Sequence, residues 1–516
     1  MEEMKIPKEK FEFAEKRDLT HDSRLLTKPT GYFKDALRRF CRNKGAVVAA
    51  FVIAFLILFA IIAPFCTPYT VSEEDASFAN ALPKSHLFEN TSFWDGCAYK
   101  EVGEENFIYD YAIGQESGRY VVKNQEYKIL ENGLYAYRQD SYHKQGCVFV
   151  NLQKPQYESL QEYQNKTGIQ VIYPITVLSQ RPEAPQDEKD ANYYYKTVKR
   201  GSKTAAVLDE NGNVIPIYRA YSEVDGKPQD DYYSLRIEGD AKTDENGKVT
   251  HSYSYARITQ TGYEVRVNNY EYYIYKHALR NDGITEPYFV FGATGSGRDV
   301  FANLASGARF SFIFAFAVAL VNMVVGAIYG AIEGYYGGKT DLIMERISDI
   351  LSAIPTMIVI TLLKLHMGGT SQALVLFIAF FLTGWIGMAG RTRMQFYRFK
   401  NQEYVLAART LGAKDRRLIW KHIFPNAIGT LVTSCALVIP SMIFSEASLS
   451  YLGIISLEAG NITSVGTLIS AGQRSLSSFP HIAIFPSVFL VLLMLSFNLF
   501  GNGLRDAFNP YLRGTE

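Results

Sequence analysis

The sequence predicts an α-helical polytopic membrane protein of six transmembrane helices, with a β-rich extracytoplasmic domain inserted between helices 1 and 2. Long charge-free apolar runs predict the helices, and basic clusters beside them predict their orientation. A polar, tyrosine-rich segment between the first two runs predicts the inserted domain. The mean hydropathy of the chain, −0.06, averages these two kinds of sequence and hides both.

Five apolar runs are long enough to cross a bilayer, whose hydrocarbon core takes about 20 apolar residues of helix. They occupy residues 46–65, 310–332, 372–390, 427–445 and 482–503. A sixth, shorter run at 350–363 is bracketed by Asp349 and Lys364 and contains Pro355. We predict a span there as well, because neighbouring helices can satisfy the backbone groups that a proline leaves unpaired.

In chain order, with the shorter run at 350–363 counted as the third of six, basic residues cluster before the first run, after the fourth and after the sixth. The clusters are Lys34, Arg38, Arg39, Arg42 and Lys44; Arg391, Arg393, Arg398, Lys400, Arg409, Lys414, Arg416, Arg417 and Lys421; and Arg505 and Arg513. The positive-inside rule places all three in the cytoplasm, which six crossings allow. We therefore expect both termini to be cytoplasmic and residues 66–308 to lie outside.

This topology divides the chain into five parts. We expect a cytoplasmic segment 1–45, helix 1 at 46–66, the external insert at 67–285, an external pre-helix segment at 286–309 and a helical core at 310–516. The core contains helices 2–6 and a cytoplasmic loop at 391–425.

Strand signals recur in the insert. The stretch "YEVRVNNYEYYIYK", 263–276, alternates with the period of a strand. Asn-Gly pairs separate strand-like runs in "YKILENGLYAYR", "AAVLDENGNVIPIY" and "DENGKVTHSYSY", and this dipeptide suits a type I′ hairpin turn. Disorder is the alternative, and the high aromatic content argues against it. Outside the cell a disulfide between Cys97 and Cys147 could persist.

Residues 291–301, "FGATGSGRDVF", space Gly292 and Gly297 as a phosphate-binding loop would. Such a loop continues with Lys and then Ser or Thr, whereas Arg298 and Asp299 follow here. The predicted topology also places the stretch away from cytosolic ATP. It is therefore not expected to be a nucleotide site.

The loop between the fourth and fifth runs contains "NQEYVLAARTLGAKDRRLIWKHIFPNAIG", 401–429. Good helix formers at 403–411 precede Gly412, a natural helix stop, and a second short helix is expected at 414–423. The small side chains of Ala407 and Ala408 would let another surface approach closely, with Arg409 beside them. This pattern is suited to docking into a groove on a partner protein. An ordinary basic loop obeying the positive-inside rule is the alternative.

The spacing in this loop resembles the signature of ABC importer permease subunits: Glu-Ala-Ala, three residues, Gly, nine residues and Ile-x-Leu-Pro. Ala407 and Ala408 match the two alanines, Gly412 the glycine, and Phe424 and Pro425 the final pair. Glu403 keeps an acidic residue one turn earlier, and Arg409 is expected to project charge beside the alanines, so all seven residues are candidates for coupling to the ATP-binding subunits. Leu406 replaces the signature's Glu, and His422 replaces its first Ile. The ending "KHIFPN" is similar to the peptide-transporter branch.

Four other stretches resemble the dipeptide, oligopeptide and nickel permeases, most closely the C-type subunit of oligopeptide importers. They are "GRDVFANLASGARFSF", "GYYGGKTDLIMERISDILSAIP", "EASLSYLGI" and "FNLFGNGLRDAFNPYLR". The resemblance covers about 30–66 and 285–513, and leaves the external insert outside the common pattern. Within it, Arg298 and Asp299 are expected to form a structural turn or an ion pair.

The resemblance implies a multi-pass subunit of a prokaryotic cell membrane that lines half of a peptide pathway. Its expected partners are a homologous second permease, two cytosolic ATP-binding subunits, an extracytoplasmic peptide-binding lipoprotein, the peptide and membrane lipid. ATP hydrolysis would belong to the partners, so the chain itself is not expected to be an enzyme, and no cofactor is implied.

The sequence is also compatible with rival functions. A membrane-anchored receptor or adhesion protein would use the external insert, and a nickel importer would carry another solute. A secondary transporter would need acidic residues near mid-span, which the five clear runs lack. Lys364, His366 and Glu446 lie at span ends, where snorkelling to the interface is expected. A net charge of +1 gives no reason to expect nucleic acid, and the sequence shows no catalytic or metal-binding pattern.

Overall fold

The computed structural model describes residues 32–88, 91–115, 117–173, 191–192, 197–200, 203–206, 210–212, 222–224, 227–229, 255–457 and 463–508. Five helices in this part are long and apolar enough to cross a membrane: Lys44–Cys66, Val300–Tyr336, Gln372–Phe399, Asp415–Tyr451 and His481–Phe508. Each contains one of the five long apolar runs. The helical membrane fold predicted from those runs is confirmed.

The sixth run does not form one straight span. Helix α7, Gly338–Ser352, and helix α8, Thr356–His366, meet at 70° across a short break. Pro355 lies at this break, where its ring and missing N–H prevent the helix from continuing and bias the preceding residue away from helical angles. The pair is a broken span or a re-entrant segment, so the described chain has five or six crossings.

Besides α7 and α8, the helices of the described part, including the spans above, are α1 (Tyr32–Arg42), α2 (Lys44–Cys66), α3 (Glu104–Ala112), α4 (Lys154–Thr167), α5 (Asn269–Arg280), α6 (Val300–Tyr336), α9 (Gln372–Phe399), α10 (Glu403–Thr410), α11 (Asp415–Arg417), α12 (Phe424–Tyr451), α13 (Val465–Gln473) and α14 (His481–Phe508). Helices α2, α6, α12, α13 and α14 share one apolar core, which includes Leu56, Ala308, Ile443 and Leu493.

Helices α6 and α9 pack closely because α6 has glycines at three successive turns. An added Cβ at Gly326, Gly330 or Gly334 would come within 2.6, 2.1 or 2.7 Å of an atom of α9. Small residues four apart let two membrane helices bring their backbones together, where dispersion contacts hold them. This interface fixes the part of α9 that leads into the loop described below.

The insert contains eleven strands in the described part: β1 (Cys97–Val102), β2 (Val122–Ile129), β3 (Tyr135–Asp140), β4 (Cys147–Leu152), β5 (Ile172–Tyr173), β6 (Thr197–Arg200), β7 (Lys203–Ala206), β8 (Ser222–Val224), β9 (Lys227–Gln229), β10 (Ala256–Ile258) and β11 (Tyr263–Asn268). They form an antiparallel sheet β1-β3-β2, a second sheet β10-β11-β4 with β5 on β11, and the pairs β6-β7 and β8-β9. Helices α3 and α4 lie between strands and α5 follows β11, so the described part of the insert combines the predicted strands with helices.

The hairpin predicted around Asn132-Gly133 is present, with Ile129 opposite Tyr135. Its turn is not type I′, because only Gly133 of the two has a positive φ, 78°. Gly133 N–H donates to Leu130 O, which gives a turn closed by a left-handed glycine, the usual form of a three-residue hairpin loop. The hairpins predicted around Asn211-Gly212 and Asn246-Gly247 lie mostly or wholly outside the described residues.

The strand predicted over 263–276 is correct only in its first half. Strand β11 ends at Asn268, and helix α5 begins at Asn269. Asn268 caps that helix by accepting a hydrogen bond from Glu271 N–H at 3.2 Å. The buried side chains of Tyr270, Tyr273 and His277 then recur at helical spacing.

Cys97 and Cys147 are not bonded to each other in the structure, so the disulfide that the sequence allowed is absent. They begin strands β1 and β4, which belong to different sheets. Burial, helped by the nearby carboxylates of Asp140 and Asp95, raises the pKa of the Cys97 thiol to about 12. Disulfides form through the thiolate, which is scarce at such a pKa.

Candidate functional site

Residues 403–425, which follow α9 and lead into α12, form a compact helical segment that we call the elbow. Helix α10, Glu403–Thr410, is followed by a tight turn, by α11, Asp415–Arg417, and by a π-helical turn, Leu418–Ile423. The second short helix predicted at 414–423 does not stop there, because the chain continues as one helix from Asp415 to Tyr451. Pro425 lies in the first turn of α12, where the wider π-helical turn before it gives its ring room.

Gly412 ends α10 in the left-handed conformation, with φ of 82°. Its N–H donates to Arg409 O at 3.0 Å, and Ala413 N–H donates to Ala408 O at 3.1 Å. This pair of bonds is a Schellman motif, in which glycine is favoured because it has no Cβ to strain. The prediction that Gly412 stops the first helix of the loop is confirmed by this geometry.

One side of the elbow is anchored on the helical bundle. Val405, Leu418 and Ile423 are fully buried, and they pack with Tyr335 at the end of α6 and Phe396 on α9. Burying each aliphatic side chain contributes roughly 1.5–3 kcal/mol, so the elbow has a firm base.

A polar contact reinforces this base. The Tyr335 hydroxyl donates to Asp415 Oδ1 at 2.5 Å. Arg409 donates to the same hydroxyl at 3.5 Å, and its guanidinium lies 5.9 Å from the centre of the Tyr335 ring. Arg409 is thus tied to the end of α6, and it does not simply project charge as predicted.

The other side of the elbow is exposed and partly apolar. Leu411 is 88% exposed and Leu406 is 43% exposed. Ala407 and Gly412 are exposed beside them, and no atom lies within 4 Å of where a Cβ on Gly412 would be. An anchored element that presents large apolar side chains to water is typical of a protein-binding surface.

The structure separates the seven residues singled out from the sequence into three groups. Glu403, Ala407 and Gly412 lie on the exposed side. Ala408 and Phe424 are half-buried against the anchoring core, and Arg409 is held by Tyr335. Pro425 is exposed at the start of α12. Only one of the two alanines is therefore open to another protein.

Sequence reasoning missed a charged cluster that joins α6, α7 and α9 near the elbow. Arg393 donates to both oxygens of Asp341 at 2.6 and 2.8 Å and to both of Glu345 at 2.9 and 3.2 Å. Its Nε also lies 3.5 Å from the buried carboxylate of Glu333. Arg393 was counted from the sequence only as one of many basic residues.

Of the three polar residues for which snorkelling is expected, Glu446 is the one that the structure buries completely. Glu446 is fully buried and accepts hydrogen bonds from Ser311 at 3.2 Å, Ser450 at 3.0 Å and Ser464 at 2.6 Å. Lys364 donates to the carbonyl of Ile454. His366 is exposed, and its ring Nδ1 lies 2.9 Å from the carbonyl oxygen of Leu362.

The glycine-rich stretch before α6 is a structural turn. An added Cβ at Gly297 would lie 1.8 Å from the carbonyl oxygen of Asp75, so backbone fills the space that a phosphate would need. Arg298 pairs with Glu74, its Nε lying 2.8 Å from Oε1. Asp299 caps α6 by accepting from the N–H groups of Phe301 and Ala302. The expectation of a turn and an ion pair fits this geometry.

Known proteins match the chain at both ends of the helical part. The family model "Binding-protein-dependent transport system inner membrane component" matches residues 323–514, and the "N-terminal TM domain of oligopeptide transport permease C" matches residues 31–83. The residues between these ranges include most of the insert.

Two curated relatives illustrate the similarity. The oligopeptide transport system permease protein OppC of Bacillus subtilis (strain 168) is 44% identical over 223 residues, which are 43% of this chain and 72% of that protein. The dipeptide transport system permease protein DppC of Lactococcus lactis subsp. cremoris (strain MG1363) is 39% identical over 222 residues, 43% of this chain and 64% of that one.

Among solved structures, the MetNI methionine ABC transporter in an inward-facing form aligns with 40% of this chain and 96% of that chain. The TM-score is 0.32 and the identity is 17%.

Proposed function

Because the chain belongs to the family of ABC importer permease subunits that includes the oligopeptide and dipeptide permeases, we propose that it forms half of the membrane pathway of an ATP-driven peptide importer. It is a multi-pass, non-catalytic subunit of a prokaryotic inner membrane. The observation that carries the proposal is the elbow at 403–425, which has a buried base and an exposed apolar side.

In this proposal the exposed side of the elbow docks into a cytosolic ATP-binding subunit. Leu411 and Leu406 would supply apolar contact, while Ala407 and Gly412 would let the partner approach the backbone. Glu403, Ala408, Arg409, Phe424 and Pro425 would support the elbow from within or at its ends. The importer would contain two ATP-binding subunits, a homologous second permease and an external peptide-binding lipoprotein.

The elbow would couple ATP binding to the conformation of the membrane pathway. ATP binding would draw the two ATP-binding subunits together, and each elbow would pass that movement to the helix continuous with it. To shift the population, ATP must bind the outward-facing conformation more tightly than the inward-facing one. The permease chain would therefore supply the conformations, and its partners would supply the free energy.

The topology belongs to the same proposal: both termini cytoplasmic, residues 67–285 outside, 286–309 an external pre-helix segment and 310–516 the permease core. The insert packs on the beginnings of two membrane-spanning helices, which supports a position on one side of the membrane. Phe78 and Tyr273 of the insert pack in a cluster with Ala302 of α6, and the rings of Trp94 and of Phe485 on α14 lie 5.5 Å apart. There the insert would contact the peptide-binding protein or cover the pathway mouth.

Leu411→Asp tests the docking role, because its side chain is exposed and a change there spares the buried base. We expect the variant to insert into the membrane normally, but the amount of ATP-binding subunit that co-purifies with it should fall about tenfold or more. The reason is that docking would bury the new charge without a partner, which is costly. Gly412→Asp should behave similarly. Leu279→Asp in the insert, where Leu279 is also exposed, is the matched control. Normal recovery of the ATP-binding subunits with Leu411→Asp would refute the docking role.

The rival functions differ in an uptake assay. A receptor or adhesion protein would give no peptide uptake, and it leaves the elbow without a role. A secondary transporter would lose uptake in depolarised, ATP-replete vesicles, whereas the proposed importer would keep it. Nickel in place of peptide as the competing solute in the same assay would distinguish the nickel importer.

A further inference from the structure

A cavity of about 530 Å³ opens between α8, α9 and α12, within the membrane-spanning part of the fold. Its floor includes the buried side chains of Ile360, Phe380 and Leu449. Every side chain that lines it is neutral. Helix α8, which forms one wall of the cavity, meets α7 at 70° across the break at Pro355.

Four hydroxyl groups interrupt the apolar lining: Thr356 on α8, Thr383 on α9, and Ser445 and Ser448 on α12. Ser445 donates its hydrogen to Ser441 O, and Ser448 donates to Phe444 O, both at 2.8 Å. A hydroxyl that donates within its own helix keeps lone pairs that can accept a hydrogen bond. These two oxygens are therefore acceptors suited to N–H groups, which a peptide main chain carries at nearly every residue.

A buried amide lies behind the cavity wall. Asn322 of α6 is 2% exposed, and its Oδ1 has no hydrogen-bond partner among the described residues. Its Nδ2 donates to Phe380 O at 3.4 Å. The amide lies against Gly384, a lining residue, where an added Cβ would be 2.2 Å from Nδ2. An intramembrane polar group without a full set of partners is by default a sign of function.

We propose that this cavity is a section of the peptide path, and that it holds the peptide main chain through neutral hydroxyl oxygens. The inference rests on the proposed import of peptides and adds the chemistry of the site. Because each peptide offers the same main-chain N–H groups, such a lining accepts peptides of either side-chain charge. It would neither attract nor repel an acidic or a basic residue strongly.

The cavity is also placed to respond to the elbow. Ser445 and Ser448 belong to the helix that runs without interruption from Asp415. A movement of the elbow would therefore move this wall of the cavity relative to α8 and α9. Weak, neutral contacts suit such a site, since a transported solute must leave it again.

Charged substitutions at Ser445 test the inference in the complete importer reconstituted in proteoliposomes. The probes are the tripeptides Ala-Glu-Ala, Ala-Lys-Ala and Ala-Ala-Ala, and the reading is the ratio of acidic to basic uptake. We expect Ser445→Asp to lower this ratio and Ser445→Lys to raise it, each roughly five- to tenfold, because like charges a few ångströms apart repel appreciably in protein. Ser487→Asp and Ser487→Lys on α14, at a half-buried serine outside the cavity, should leave the ratio unchanged.

The outcomes separate the two proposals. If the unmodified importer takes up none of the three peptides, the proposed function fails. If it transports all three while Ser445→Asp and Ser445→Lys leave the ratio unchanged, the function stands and the inference is overturned.

A second measurement covers charged variants that fail to assemble. Ser445→Cys, in a chain whose five native cysteines are replaced by serine or alanine, should react with a membrane-impermeant thiol reagent and be protected by excess Ala-Ala-Ala. If a helix of the partner permease fills the cavity, this cysteine will be unreactive with and without peptide, and the inference is then wrong.

Discussion

Arg393 of α9 and Asp341 of α7 are joined by two parallel hydrogen bonds, of 2.6 and 2.8 Å, from one guanidinium to one carboxylate. Tyr397 donates to the same carboxylate at 2.6 Å. Arg393 also contacts the carboxylates of Glu345 and Glu333. One cation therefore fixes three helices at the place where α9 leads into the elbow.

Replacing Arg393 by Gln should destabilise this junction, because three carboxylates would then face one another without a cation. Glu333 is 3% exposed, so its charge would be poorly solvated. We expect the free energy of unfolding to fall by about 2–4 kcal/mol. Arg393→Lys should lose less but not nothing, since an ammonium cannot form two parallel bonds. Thermal unfolding in detergent measures both, with Arg391→Gln as control, and equal melting temperatures would contradict the prediction.

Gly330→Ala should weaken the packing of α6 on α9. The new Cβ would lie 2.1 Å from Ala389 O and 2.9 Å from the Cβ of Thr392, so the helices would have to move apart. Overpacking of this kind costs about 1–3 kcal/mol. Gly387→Ala on α9 is the matched control, because no atom lies within 4 Å of its added Cβ and alanine favours a helix. A melting temperature that falls in both variants alike would show that the interface is not responsible.

Glu446→Ala should leave the hydroxyls of Ser311, Ser450 and Ser464 without their shared acceptor in the bundle core. We expect the free energy of unfolding to fall by about 3 kcal/mol, which is near the upper end for buried polar groups left without a partner. Glu446→Gln keeps one acceptor oxygen of similar size and should lose less. The fraction of monodisperse protein that survives heating, read by size-exclusion chromatography, ranks the two variants. The reverse ranking would mean that these hydrogen bonds do not stabilise the fold.

Asp299 should make stability depend on pH. Burial raises its pKa to about 7, although hydrogen bonds from Ala302 and Phe301 N–H oppose this. Between the unfolded value near 3.8 and about 7, the folded chain keeps a proton that the unfolded chain has lost. The contribution is therefore full below pH 4 and falls as pH rises through 7, by up to a few kcal/mol.

Asp299→Asn isolates this effect, because asparagine still caps a helix but does not titrate. The melting temperature of the unmodified chain, measured from pH 5 to 8, should decline more steeply than that of Asp299→Asn. Parallel curves would show that the folded chain does not hold a proton on Asp299 in this range.

The five long spans could be predicted because each is a charge-free apolar run long enough to cross a bilayer, whereas the break at Pro355 could not be predicted. A membrane helix can either continue past a proline or break there, and the packing of α8 against α9 decides which of the two occurs. The strand prediction is wrong over 269–276 for a related reason. Its tyrosines fit a period of two as well as the helical period, and the cap provided by Asn268 decides for the helix.

The spacing from Ala407 to Gly412 and Pro425 was enough to single out the elbow as the candidate site. It did not show which alanine faces outward, because the rotation of α10 is fixed by the burial of Val405 against Leu418 and Phe396. The environment of Glu446 was hidden for another reason. Two of its three partners, Ser311 and Ser464, are distant in sequence and come close only when α6 and α13 pack on α12.

The helix from Asp415 to Tyr451 has 37 residues, and at 1.5 Å per residue it is a rod about 55 Å long. A lever of that length magnifies small rotations: tilting it by about 10° from the elbow end sweeps the far end through roughly 10 Å. In the proposed importer, a modest turn of a cytosolic partner would thus be enough to open or shut a passage wide enough for an extended oligomer of amino acids.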